Sequence, residues 1–90
     1  MTGNELRELR TALHLAPKTL AEGAGISRSY LVMMETQEDG QAPVPDAHLE
    51  RLLDALEFLG IGSEESVIIG RQKVRDLKRQ RELAATGATS

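Results

Sequence analysis

Cysteine and tryptophan are absent from this 90-residue chain, which has a single tyrosine and a single phenylalanine. Without cysteine there can be no disulfide and no thiolate metal site, a composition that suits a reducing cytosol. Without aromatic bulk, any core must be assembled from Leu, Ile, Val, Met and Ala. Ninety residues suffice for one small helical core but not for a deep substrate cavity. No apolar run approaches the roughly 18 residues of a membrane span. The opening Met1-Thr2-Gly3-Asn4-Glu5 lacks the pattern of a secretion signal. A cytoplasmic protein with no membrane partner is the expectation. Signatures of catalysis are missing too. There is no glycine-rich phosphate loop, His14 and His48 fall on different helical segments without metal-ligand spacing, and Ser63 has no nucleophile setting. The pair Glu64-Glu65 suits a helix N-terminus, where negative charge is favourable. The chain therefore reads as a non-enzyme that needs no cofactor and no metal.

Basic charge is scarce where most of the chain lies. Residues 1 to 70 hold five basic against twelve acidic side chains, a net charge of −7, whereas residues 71 to 90 hold six against two, a net charge of +4. Phosphate attraction supplies most non-specific affinity for nucleic acid. The acidic body thus argues against strong non-specific binding, and it leaves the basic segment in search of a role.

What is present is a patterned stretch from Pro17 to Thr36. Pro17 suits a first helical position, where its missing N–H would have no partner anyway. Leu20 and Ala21 share an inner face, and Ala21 is small enough for a second helix to cross closely. Gly25 sits where a tight turn needs positive φ, which a residue without Cβ adopts at little steric cost. Ile26 plugs the turn, Ser27 can cap the next helix, and Leu31 and Met34 fall on one face at helical spacing. A generic helical hairpin would not need Gly25 and Ser27 at those offsets. The pattern is that of a helix-turn-helix, whose second helix enters the DNA major groove.

The flanks, Leu6-Arg7-Glu8-Leu9-Arg10 before and Leu49-Glu50-Arg51-Leu52-Leu53-Asp54-Ala55-Leu56 after, extend the likeness. Over about residues 4 to 70 the chain resembles the lambda-repressor-like, or Xre/Cro-type, helix-turn-helix family. That resemblance implies an all-α, compact five-helix DNA-binding domain, to which this sequence adds a basic C-terminal helix. It also implies a DNA-facing side made of Ser27, Arg28, Ser29, Val32 and Met33, with Tyr30 near the backbone or packed on the preceding helix. Among them only Arg28 can make a bidentate contact to guanine O6 and N7, while Val32 and Met33 suit thymine methyl groups. Two departures stand out. The glutamine usual at the start of the motif's first helix is replaced by Pro17, leaving phosphate contacts to Lys18 and Thr19. The loop after the second helix, often basic, carries Glu38 and Asp39. The family also often pairs a first-helix arginine with a glutamate after the recognition helix; the matching residues are Arg10 and Glu35.

Elsewhere the pattern predicts Asn4 as the cap of the first helix, a loop over 36–45, a helix over 46–58, and Ser63 capping a further one. Division into residues 1–70 for DNA binding, 71–84 as a basic helix and 85–90 as a disordered tail follows. Whether 66–84 form one helix, two, or include a strand stays open. The stripe of Val67, Ile68, Val74 and Leu77 is the expected dimer interface. The expected function is a sequence-specific regulator of transcription. It would be a homodimeric repressor occupying a palindromic operator in double-stranded DNA, since no effector domain follows the motif. The alternative, motivated by the charge asymmetry, is an antitoxin-like or co-regulatory module that binds a protein partner through its acidic body or basic helix.

Overall fold

A computed structural model describes residues 1–87, with side chains through residue 84. Five α-helices follow one another: α1 (Gly3–Ala12), α2 (Pro17–Ala24), α3 (Arg28–Thr36), α4 (Asp46–Leu59) and α5 (Glu65–Gly87), with a short 3-10 turn over Gln37–Gly40. Every helix contributes at least one fully buried aliphatic side chain: Leu6, Leu20, Leu31, Leu52, Leu53, Leu56 and Val74 meet in the middle. Each such side chain contributes about 1.5–3 kcal/mol of burial free energy. The two aromatic residues are left at the margin, with Tyr30 half-buried and Phe58 78% exposed.

The start of α1 differs from expectation. Thr2, not Asn4, is the N-cap, and it forms a reciprocal capping box with Glu5. The reason is tertiary. Gly3 is pressed against the end of α3 so closely that a Cβ there would overlap the Met34 carbonyl. Asn4 instead lies against Gly40. Hydrogen bonds from Gly3 N to Ala42 O (3.1 Å) and from Val44 N to Met1 O (2.8 Å) tie this N-terminus to the 42–44 loop.

The C-terminal third is one continuous helix. The boundary expected at residue 70 falls between Val67 and Val74, both buried in the protomer's own core. Residues 71–84 are therefore part of the body and not an appendage. Gly70 permits this, because a Cβ there would stand 3.0 Å from Leu13 and 3.4 Å from Ala12, where α5 crosses the end of α1. The helix starts at Glu65, with Ile68 N donating to Glu64 O (3.0 Å), so the cap position falls on Glu64 and not on Ser63. At the other end, residues 85–87 are helical, and the rest of the expected tail lies outside the described residues.

α5 packs chiefly across α1 and α4. Its inward cations are consumed there: Lys78 Nζ reaches Asp54 (2.7 Å) and Glu57 (3.2 Å), and Arg81 reaches Asp46 (3.6 Å). The hydrogen bond to Asp54 is the main cause that raises the Lys78 ammonium above its usual 10.5, against a smaller opposing effect of burial and with Glu57 adding to the rise. Because the folded state holds this proton more tightly, the contribution is fully present below pH 10.5 and lost as pH climbs through the raised folded value. Wild-type stability should therefore fall on the alkaline side more steeply than that of Lys78→Gln, as urea midpoints across that range would show.

Candidate functional site

The α2–α3 unit is built by local chemistry. Gly25 adopts φ 73°, ψ 29° and ends α2. Ile26 N donates to Ala21 O (3.0 Å) and Gly25 N to Glu22 O (3.2 Å), the paired bonds of a Schellman motif that satisfy the last carbonyls of α2. Ser27 then caps α3, its hydroxyl accepting from Tyr30 N at 3.1 Å. Leu20, Ala21 and Ala24 of α2 and Leu31 and Met34 of α3 are buried, so the two helices share one core face.

The opposite face of α3 is open. Ser27, Arg28, Ser29, Val32, Met33 and Thr36 are all exposed, and Val32 and Met33 remain 38% and 46% accessible. Met33 does not fold back onto the core. Lys18 and Thr19 are exposed in the first turn of α2. Tyr30 turns away from this surface and meets His48 of α4 edge-on, with ring centroids 5.1 Å apart and planes at 79°. Its ring thus packs against α4. Nδ1 of His48 is buried there with no hydrogen-bond partner among the described residues.

Two residues of this surface escaped sequence reasoning. Thr36 closes the exposed face, its hydroxyl donating to Val32 O at 2.8 Å. Arg7 lines a shallow cleft at the end of α3 with Asn4, Thr36 and Asp39, so a cation stands beside the acidic turn. The periodicity of α3 already placed Thr36 on the face of Ser29, Val32 and Met33. Nothing local pointed to Arg7, whose position depends on α1 crossing the end of α3.

Arg10 and Glu35 hold that crossing. Nε donates to one carboxylate oxygen (2.8 Å), Nη2 to the other (3.0 Å), and Nη1 to the Leu15 carbonyl (2.9 Å). Glu35 is 3% and Arg10 13% exposed. Of the residues expected to join two copies, Val67 and Val74 are interior, which leaves only exposed Ile68 and half-buried Leu77 for an interface. The most accessible large apolar side chains are instead Phe58 (78%) and Ile61 (79%), at the corner between α4 and α5.

The acidic turn after α3 is strained. Glu38 (φ 53°, ψ 43°) and Asp39 (φ 56°, ψ 33°) are both left-handed, followed by Gly40 at φ 81°. Non-glycine residues adopt that conformation at about 1–2 kcal/mol each. Glu38→Gly with Asp39→Gly should relieve strain while adding unfolded-state entropy, for a net gain of about 1 kcal/mol seen as a higher melting temperature. If this turn lies beside DNA, the same variant should bind duplex DNA more tightly at low salt, with the gain shrinking as salt rises.

The surface offers a helix with one guanidinium, three hydroxyls and two apolar side chains pointing outward, and few flanking cations. No group of three or more potential metal ligands occurs among the described residues, and no described helix is long and apolar enough to cross a membrane. The family model described as a helix-turn-helix domain matches residues 3–64. Comparison with curated proteins and with solved structures gives no match.

Proposed function

Because the chain belongs to the helix-turn-helix domain family, we propose that it is a sequence-specific regulator of transcription. In this reading it is a homodimeric repressor that binds a palindromic operator in duplex DNA. The observation that carries the reading is the exposed face of α3, where Arg28, Val32 and Met33 stand outward although two of them are apolar. An α-helix fits the major groove, where guanine presents two acceptors to a guanidinium and thymine presents a methyl group to apolar side chains. Lys18 and Thr19 at the start of α2, with Ser27 and Ser29, supply contacts that position α3 on the phosphates. α5 packs chiefly on α1 and α4, and its Lys78 and Arg81 are paired with carboxylates of α4.

One such helix reads only a few base pairs. Two copies spaced by about 34 Å, one helical turn of DNA, would supply the remaining specificity. The corner of Phe58 and Ile61 suits the contact between copies, since Val67 and Val74 are spent on the core. Selection of preferred sites from random duplexes, repeated with Arg28→Ala, tests the reading. The variant should lose about 1–3 kcal/mol on the selected site and relax preference at one position per half-site. A parent that selects nothing, or an Arg28→Ala protein with an unchanged site, would overturn it.

The acidic turn and the net charge of residues 1–70 favour a second reading, a module that binds a protein partner and touches DNA weakly or not at all. Retention on DNA-cellulose at low salt separates the two, because a pure protein adaptor would flow through.

A further inference from the structure

Negative charge gathers at the C-terminal end of α3. Its last turn holds no basic residue, and the last carbonyls of a helix carry partial negative charge of their own. Glu38 and Asp39 follow at once, both exposed and with no side-chain hydrogen bond or ion pair among the described residues. Glu35 is neutralised by Arg10, which engages all three of its nitrogens with Glu35 and the Leu15 carbonyl. One cation remains. The cleft of about 260 Å3 at this end is lined by Asn4, Arg7, Glu35, Thr36 and Asp39. Arg7 is exposed, and its guanidinium has no hydrogen bond or ion pair among the described residues, with Asp39 or any other. Lys18 and Thr19 lie on α2 and do not line this cleft.

Thr36 joins the cleft to the exposed face of α3, which it shares with Ser29, Val32 and Met33. Nine residues at roughly 1.5 Å each make α3 about 14 Å long, a little more than the major groove's width of about 12 Å. Helices of this type meet base edges with their N-terminal residues, which leaves the C-terminal end at the rim of the groove beside the phosphates. Without Arg7, this end would meet the backbone with carboxylates alone. We propose that Arg7 is a phosphate anchor, whose guanidinium contacts the DNA backbone where the C-terminal end of α3 leaves the groove. A guanidinium suits this place because its planar fork grips phosphate oxygens bidentately. α1 thereby supplies, from outside the helix-turn-helix, a contact that the acidic turn after α3 cannot make. Phosphate contacts fix register without reading sequence, so Arg7 positions α3 while Arg28 keeps the base preference. This role rests on the DNA-binding reading of α3. The other role open to Arg7 is to screen Glu38 and Asp39 within the protomer, which would contribute to folding alone.

Affinity of the full chain for a duplex carrying its selected site, measured against salt, tests this role. Each neutralised phosphate contributes about 0.9 to the slope of log affinity against log salt. Arg7→Ala should therefore flatten the slope by about 0.9 for each bound subunit, so that the parent's advantage shrinks roughly three- to four-fold per subunit between about 50 and 200 mM salt. Arg7→Lys, which keeps the charge and loses the fork, should keep the parent's slope. The order of preferred sequences should be the same for all three proteins. Their melting temperatures should agree too, since Arg7 is exposed and has no partner among the described residues. An Arg7→Ala slope equal to the parent's would overturn the anchor, and a lowered melting temperature beside it would assign Arg7 to screening the acidic turn. An Arg7→Lys protein as flat as Arg7→Ala, or a changed order of sites, would overturn it as well. Arg28→Ala run alongside keeps the two roles apart. Loss of base preference there, with an unchanged Arg7→Ala slope, removes the anchor and leaves the DNA-binding face standing. A parent that selects no site removes both.

Discussion

Arg10→Ala should lower stability by about 3–5 kcal/mol, read as a large drop in urea midpoint. The carboxylate of Glu35 is 3% exposed and takes both of its close hydrogen bonds from Arg10. Removing the guanidinium strands that charge out of water and also unpairs the Leu15 carbonyl. Glu35→Ala should cost less than Arg10→Ala, because Arg10 keeps 13% exposure and a long stem with which to reach solvent. Replacing both residues together, Arg10→Met with Glu35→Leu, should hurt less than Arg10→Ala, since an apolar pair leaves no uncompensated charge. An unchanged midpoint for Arg10→Ala would mean that the pair contributes nothing. The functional consequence is positional: the pair fastens α1 to the end of α3, so its loss should loosen the angle at which the exposed helix is presented.

The second large effect concerns assembly. In a dimer that grips two half-sites, the second contact is intramolecular, and linking two sites can raise overall affinity by 10²–10⁴-fold, to order of magnitude. Phe58→Asp with Ile61→Asp places charge at the α4–α5 corner without touching the core, as both side chains are more than three quarters exposed. Its melting temperature should stay near that of the parent, its sedimentation should be monomeric where the parent is dimeric, and its affinity for a two-half-site duplex should fall by about 10²–10⁴-fold. Affinity for a single half-site should hardly change. A double variant that remains dimeric would move the contact between copies elsewhere.

Much of the local architecture was legible from residue type and spacing. Pro17 at a helix start, Gly25 at left-handed φ, Ser27 as a cap, and the leucine stripes of α1 and α4 all follow from hydrogen bonds and side-chain neighbours within five residues. The outward face of α3 was legible for the same reason, since a helix of known phase with Leu31 and Met34 inside must turn Ser29, Val32 and Met33 outside. What depends on chain segments far apart in sequence was not. Asn4 and Thr2 are both competent caps, and the contact of Gly3 with the end of α3 settled the choice. Val67 and Val74 looked like a free stripe until α1 and α4 closed over them, a crossing that Gly70 permits by leaving room for Leu13. Lys78 and Arg81 looked like part of a basic surface until Asp54, Glu57 and Asp46 met them across the α4–α5 contact. In the left-handed pair Glu38–Asp39, Glu38 runs against local preference, whereas Asp39 is a residue that tolerates that conformation. It persists because the loop is held at both ends, by the Arg10–Glu35 pair before it and by the Met1–Val44 and Gly3–Ala42 hydrogen bonds after it. Local geometry thus made the helices and their faces. Only the packing of those helices decided which outward-looking residues remained available to DNA or to another copy.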